Sequence, residues 1–134
     1  MKQKYIDAHM KVAEIYAKLS SAKRLQVGSV IVKDNTIIGI GYNGMPSGWD
    51  NECEDSTFKT KPEVIHAESN CIAKVTKSNN SSESADMFVT HAPCMECAKL
   101  IYQSGIKSVY YRNQYRSDDG IDFLKKCGVK IEKV

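Results

Sequence analysis

The sequence predicts an α/β fold, a three-layer α-β-α sandwich built on a mixed, roughly five-stranded sheet. Three observations lead there. A stripe of helical period opens the chain, two β-rich runs then flank a tight turn, and strand-like and helix-like segments alternate from there to the end. A hairpin pairs antiparallel, whereas strand-helix-strand alternation calls for parallel crossovers, so the sheet must be mixed and covered on both faces. The chain has 134 residues, no internal repeat and no Pro/Gly-rich linker, which predicts one domain over 1–134.

Tyr5, Ile6, His9, Val12, Ala13, Tyr16 and Leu19 recur at helical spacing until Ser20-Ser21 ends the pattern. His9 falls inside this stripe, where packing or a surface hydrogen bond is its default role. Val27 to Val32 and Thr36 to Tyr42 read as strands around Lys33-Asp34-Asn35, a turn rich in residues that tolerate positive φ. Gly41 through Cys53 is a loop punctuated by Gly, Pro and Asn, long enough to expect function. Pro62 leads into a helix expected from about Val64 to Lys77, and Ser78 to Ser84 is a polar turn. Asp86 to Thr90 reads as a strand feeding a helix that runs to about Ser104 and is closed by Gly105. Ser108 to Arg112 is a further strand, Asp119 to Cys127 a helix stopped by Gly128, and Val129 to Ile131 a short last strand.

Two short motifs carry the chemistry. His66-Ala67-Glu68 offers an imidazole and, two residues on, a carboxylate; Pro93-Cys94-Met95-Glu96-Cys97 offers two thiols three positions apart. His66, Cys94 and Cys97 are three good zinc ligands. Structural zinc sites normally close with four protein ligands, whereas catalytic ones keep three and leave a position for water. The pattern H-x-E followed by P-C-x-x-C is that of zinc-dependent nucleobase deaminases, in which zinc lowers the pKa of its water and an unliganded glutamate moves protons. Glu68 would be that shuttle. His66 and Glu68 can serve one site only from the terminal turn of their helix, because two residues apart in mid-helix point to different sides. Pro93 fixes φ ahead of the cysteine helix, whose positive end favours thiolates. Other readings stay open here. A lone C-x-x-C also serves as a redox dithiol or half of a zinc knuckle, and Cys53 or Cys71 could complete a closed four-ligand site.

Composition narrows the partners. Nineteen Lys and Arg against sixteen Asp and Glu give +3, which suits anionic small molecules but leaves no basic stripe of the kind nucleic acid requires. No apolar run approaches the ~20 residues of a membrane span, and the amphipathic opening is unlike a signal peptide. Five cysteines, an odd number, argue for a reducing cytoplasm rather than a disulfide framework.

The chain resembles the deoxycytidylate deaminase family within the wider cytidine-deaminase-like superfamily. The likeness is carried by Gln26-Val27-Gly28, the hairpin, Gly41-Tyr42-Asn43-Gly44 with Pro46 and Gly48, both zinc motifs, and Gln103-Ser104-Gly105-Ile106. It implies hydrolysis of dCMP to dUMP and ammonia, supplying thymidylate synthesis. It also implies a homohexamer activated by dCTP and inhibited by dTTP, with Mg2+ accompanying the triphosphate and Zn2+ at the reacting centre. By the same resemblance, Asn43 touches the deoxyribose, the backbone at Ala67 and Ala92 reads the cytosine edge, and Tyr115 and Arg116 take sugar and phosphate. A regulatory pocket would use Arg24, Gln26, Lys33, Asn43, Gly44 and Asp50. Some members carry a second zinc before the His-x-Glu motif. The stretch from Glu54 to Ile65 has no histidine, so Cys53 is read as a small buried apolar residue. His91 is read as pocket wall. Competing classes are a tRNA adenosine deaminase, which shares the zinc motifs, and a non-enzymatic zinc or nucleotide-binding module.

Overall fold

A computed structural model describes all 134 residues. Helix α1 spans Gln3–Ala17, β1 Gly28–Lys33, β2 Thr36–Tyr42, α2 Ala67–Thr76, β3 Asp86–His91, α3 Met95–Gln103, β4 Ser108–Asn113, α4 Asp119–Lys126 and β5 Lys130–Lys133. The sheet order is β2-β1-β3-β4-β5. β1 pairs antiparallel with both β2 and β3, while β3–β4 and β4–β5 are parallel. The sheet is thus mixed and five-stranded, as expected.

Alternation along the strands builds two cores. Val30, Val32, Phe88 and Tyr110 point to one face and pack with Ile6, Met10 and Ala13 of α1. Ile31, Met87, Val89 and Val109 point to the other and pack with Ile72 and Val75 of α2, Ile101 of α3 and Leu124 of α4. Period-two strands therefore separate one helix from three. At the hairpin, Asp34 and Asn35 both take positive φ, 50° and 59°, the pair a tight primed turn requires.

The differences from expectation have local causes. The first helix ends at Ala17, so Leu19 lies beyond it and is exposed, while Met10 and Ala17 join the buried stripe. The second helix begins at Ala67 rather than Val64. Ile65 is held extended by Gly44, its N–H donating to Gly44 O at 2.8 Å and its carbonyl accepting Gly44 N–H at 3.1 Å. The last strand runs Lys130–Lys133 rather than from Val129, whose side chain stays in the core.

Close helix-sheet approach sets the site. Gly41 lies where any Cβ would strike the Ala67 carbonyl and the Cys71 nitrogen, so the start of α2 sits directly on β2. Gly120 performs the same service for α4 against the Pro93 carbonyl and the Cys94 backbone. Gly105 and Gly128 take φ of +81° and +79° after α3 and α4, the left-handed close read from the sequence.

Candidate metal centre and substrate pocket

His66 is the N-cap of α2 and Cys94 the N-cap of α3, each in extended backbone conformation. Glu68 and Cys97 follow within the first turns. Both helices therefore aim their N-termini at one place, and the two-residue spacing of His66 and Glu68 becomes usable. One ligand atom each from His66, Cys94 and Cys97 falls within 4.8 Å of the others. His66 Nδ1 stands 3.3 Å from Cys97 Sγ and 3.6 Å from Cys94 Sγ. An imidazole and two thiols at that separation fit a soft divalent cation such as Zn2+. Neither Cys53 nor Cys71 belongs to the cluster. Both are buried, and Cys53 Sγ lies 3.5 Å from Ser21 Oγ.

Electrostatics at the cluster follow from burial and proximity. Cys94 is held down to about 3, chiefly by hydrogen bonding to Cys97 and then to His66. Cys97 is correspondingly pushed up, first by that bond to Cys94 and then by burial. His66 is raised, chiefly through its hydrogen bond with Cys94. One proton thus leaves the dithiol readily and the second stays, until a cation supplies the charge to hold two thiolates together. Glu68 is 5 % exposed, and burial lifts its carboxyl to about 7 against the pull of its own backbone N–H and of His66.

The cluster opens into a cavity of about 550 Å³. His66, Ala67, Glu68, Ala92 and Cys94 line it, and so do Arg24, Asn43, Tyr115 and Arg116. The Arg116 guanidinium lies 5.9 Å from the Tyr115 ring centroid. Ala67 sits in the first turn of α2, where backbone N–H groups have no intrahelical acceptor. The Ala92 N–H is already given to Asn113 O at 2.9 Å. Asn43 accepts the Val27 N–H at 2.9 Å and donates to Leu25 O at 2.8 Å. Its amide therefore shapes the segment that presents Arg24. The Glu54 carboxylate supports the same segment by accepting the N–H groups of Lys23 and Arg24 at 3.1 and 3.2 Å.

The other regulatory candidates are not gathered in this cavity. Gln26 donates to Ser20 O at 2.8 Å, and Gly44 is paired with Ile65. Asp50 is exposed in the loop that follows. Lys33 donates to Ser81 O at 3.3 Å from the far end of β1, the end away from Val27. Residues not singled out from sequence also line the cavity, among them Glu54, Val64, Asn113 and Gln114. Asn113 carried one signal, its place just after the strand expected to end at Arg112 and two residues before Tyr115-Arg116.

A family model described as the cytidine and deoxycytidylate deaminase zinc-binding region matches residues 3–113. The chain belongs to this zinc-binding deaminase family. Human deoxycytidylate deaminase is 40% identical over 119 residues, covering 82% of this chain and 66% of that protein. ComE operon protein 2 of Bacillus subtilis is 36% identical over 133 residues, covering 93% and 68%. The chain thus spans about two thirds of the length of these two relatives. A crystal structure of the dCMP deaminase of cyanophage S-TIM5, in complex with dCMP and dUMP, superposes with a TM-score of 0.98 at 46% identity, covering 100% and 99% of the two chains. The fold is that of the family, and no helix is long and apolar enough to cross a membrane.

Proposed function

We propose that this chain is a zinc-dependent deaminase converting dCMP and water to dUMP and ammonia. The observation that carries the reading is a buried carboxyl, Glu68, beside an open His66-Cys94-Cys97 cluster in a cavity that also holds two guanidinium groups. The deoxycytidylate deaminases to which the chain is similar supply the substrate class.

In this reading His66, Cys94 and Cys97 hold Zn2+, and the first turns of α2 and α3 stabilise the thiolates through their N-terminal dipoles. Zinc, when bound, supplies the Lewis acidity that makes water available as hydroxide at neutral pH. Glu68 would take one proton from the attacking water and give it to the ring nitrogen next to the amino-bearing carbon, then carry the remaining proton of the added hydroxyl to the amine, which leaves as ammonia as the carbonyl forms. A carboxyl raised to about 7 suits both halves of that transfer. Arg116 binds the phosphate, for which a guanidinium is well shaped, and Tyr115 packs on the sugar. Asn43 acts through the loop it fixes as well as beside the deoxyribose.

The resemblance extends the proposal further. It supports a cytoplasmic homohexamer activated by dCTP and inhibited by dTTP, with Mg2+ on the triphosphate and Arg24, Gln26, Lys33, Asn43, Gly44 and Asp50 in the effector site. In a single chain Lys33 stands apart from the rest of that set. The decisive experiment measures ammonia release with dCMP, deoxycytidine and cytidine for the wild type and Glu68→Gln. The expected result is dCMP turnover that drops about 10²- to 10⁴-fold in the variant while bound zinc is unchanged. A wild type loaded with zinc yet inert toward dCMP would overturn the reading.

A further inference from the structure

His91 lines the cavity, and the mechanism above has no use for it. It ends β3, pairs in register with Asn113 and lines the cavity three residues before Cys94. Its Nδ1 lies 2.9 Å from Thr90 Oγ1. That hydroxyl already accepts the Gly28 N–H at 3.1 Å, and Thr90 is buried at 3 % exposure. A threonine hydroxyl has a single proton to donate. Within the chain its hydrogen-bond partners are the Gly28 N–H and His91 Nδ1, and leaving a buried O–H unmade is costly. The proton therefore points at His91 Nδ1, which must be the bare nitrogen. The neutral ring then carries its hydrogen on Nε2, since the one hydrogen bond the ring makes within the chain is through Nδ1. Burial keeps the ring neutral by lowering its pKa.

We infer that Gly28, Thr90 and His91 form a relay that fixes one imidazole tautomer, and that His91 Nε2–H is a donor to an uncharged oxygen of the bound nucleotide. The charged oxygens of the phosphate have Arg116 in the same cavity. A neutral N–H suits the ring carbonyl or a sugar hydroxyl instead. Its position fits, since His91 lies between the metal cluster that follows it and the Asn113–Arg116 segment paired beside it. His91 is thus a specificity-determining residue, and Thr90 a positioning residue acting through it.

This inference rests on the dCMP reading, and its test separates the two. The zinc-loaded protein is assayed with dCMP as wild type, His91→Leu and His91→Gln, with metal content measured on each. Loss of about tenfold in kcat/KM for His91→Leu at full zinc occupancy, largely regained in His91→Gln, whose amide can place an N–H near the Nε2 position, is the expected result. His91→Leu equal to wild type overturns the inference. Equal losses in both variants also overturn it, because ring shape rather than the donor would then matter. A wild type inactive on dCMP condemns the parent reading instead. Repeating the series with 2′,3′-dideoxy-CMP distinguishes the acceptor: the loss persists if it is the ring carbonyl and vanishes if it is the 3′-hydroxyl. Nitrogen NMR of the imidazole in the wild-type holoenzyme gives an independent reading, with Nε2 protonated as expected and a protonated Nδ1 refuting the relay.

Discussion

The two sides of the cavity are built differently. On the metal side, each ligand and the acid sit at a helix start, and those helix starts are pressed onto neighbouring backbone where Gly41 and Gly120 remove the Cβ. On the side proposed to take the nucleotide, Arg24, Tyr115 and Arg116 project from irregular segments, that of Arg24 held by hydrogen bonds of its backbone with the Asn43 and Glu54 side chains. The lesson is that chemistry requiring ångström placement is tied to packed regular structure, while recognition is left on loops that can vary.

If that division is right, damage on the metal side should be global and damage on the nucleotide side selective. Cys97→Ser, which removes the most buried ligand of the cluster, should abolish both zinc retention and turnover, and lower the melting temperature as well, because metal binding is coupled to folding. Metal analysis beside a thermal melt checks this, and a variant that keeps stoichiometric zinc breaks the comparison. Gly41→Val comes next. Its side chain would enter the Ala67 carbonyl, so stability should fall by about 1–3 kcal/mol and zinc affinity with it, read from denaturant melts and metal titration.

Arg116→Ala should act on binding alone. We expect KM for dCMP to rise roughly tenfold and the preference for dCMP over deoxycytidine to narrow, with the melting temperature within about a degree of wild type, because exposed loop substitutions cost little stability. Smallest is an alkaline effect from Cys71, a buried thiol of α2 that burial pushes up from 9.0 to about 12. The folded state then binds that proton more tightly than the unfolded chain. Its contribution is fully present below about pH 9 and is lost as pH rises toward 12. Melts of Cys71→Ala against wild type between pH 8 and 10.5 should show the variant with the shallower decline.

How much of this the sequence disclosed differs in the same way. The clustering of His66, Cys94 and Cys97, the place of Glu68 beside them and the hairpin turn were legible, because spacing within one turn, or two residues tolerant of positive φ, is local information. The start of α2 was not. His66 begins the helix only because Ile65 is pinned by Gly44, twenty-one residues earlier, and no window around Pro62 contains that partner. Asn43 is a similar case. The family resemblance marked it as a site residue, but that its amide is spent on Leu25 and Val27 depends on β1 and β2 lying side by side. Lys33 shows the converse, since strand direction carries it to the end of β1 away from the cavity.

The polar turn from Ser78 to Ser84 lies at that same distant end, where Lys33 reaches Ser81 and where β3 begins rather than finishes. An affinity tag, a fluorescent reporter or new termini made by circular permutation can therefore be grafted between Asn79 and Asn80. The reacting groups, all at the opposite rim, would not feel the graft.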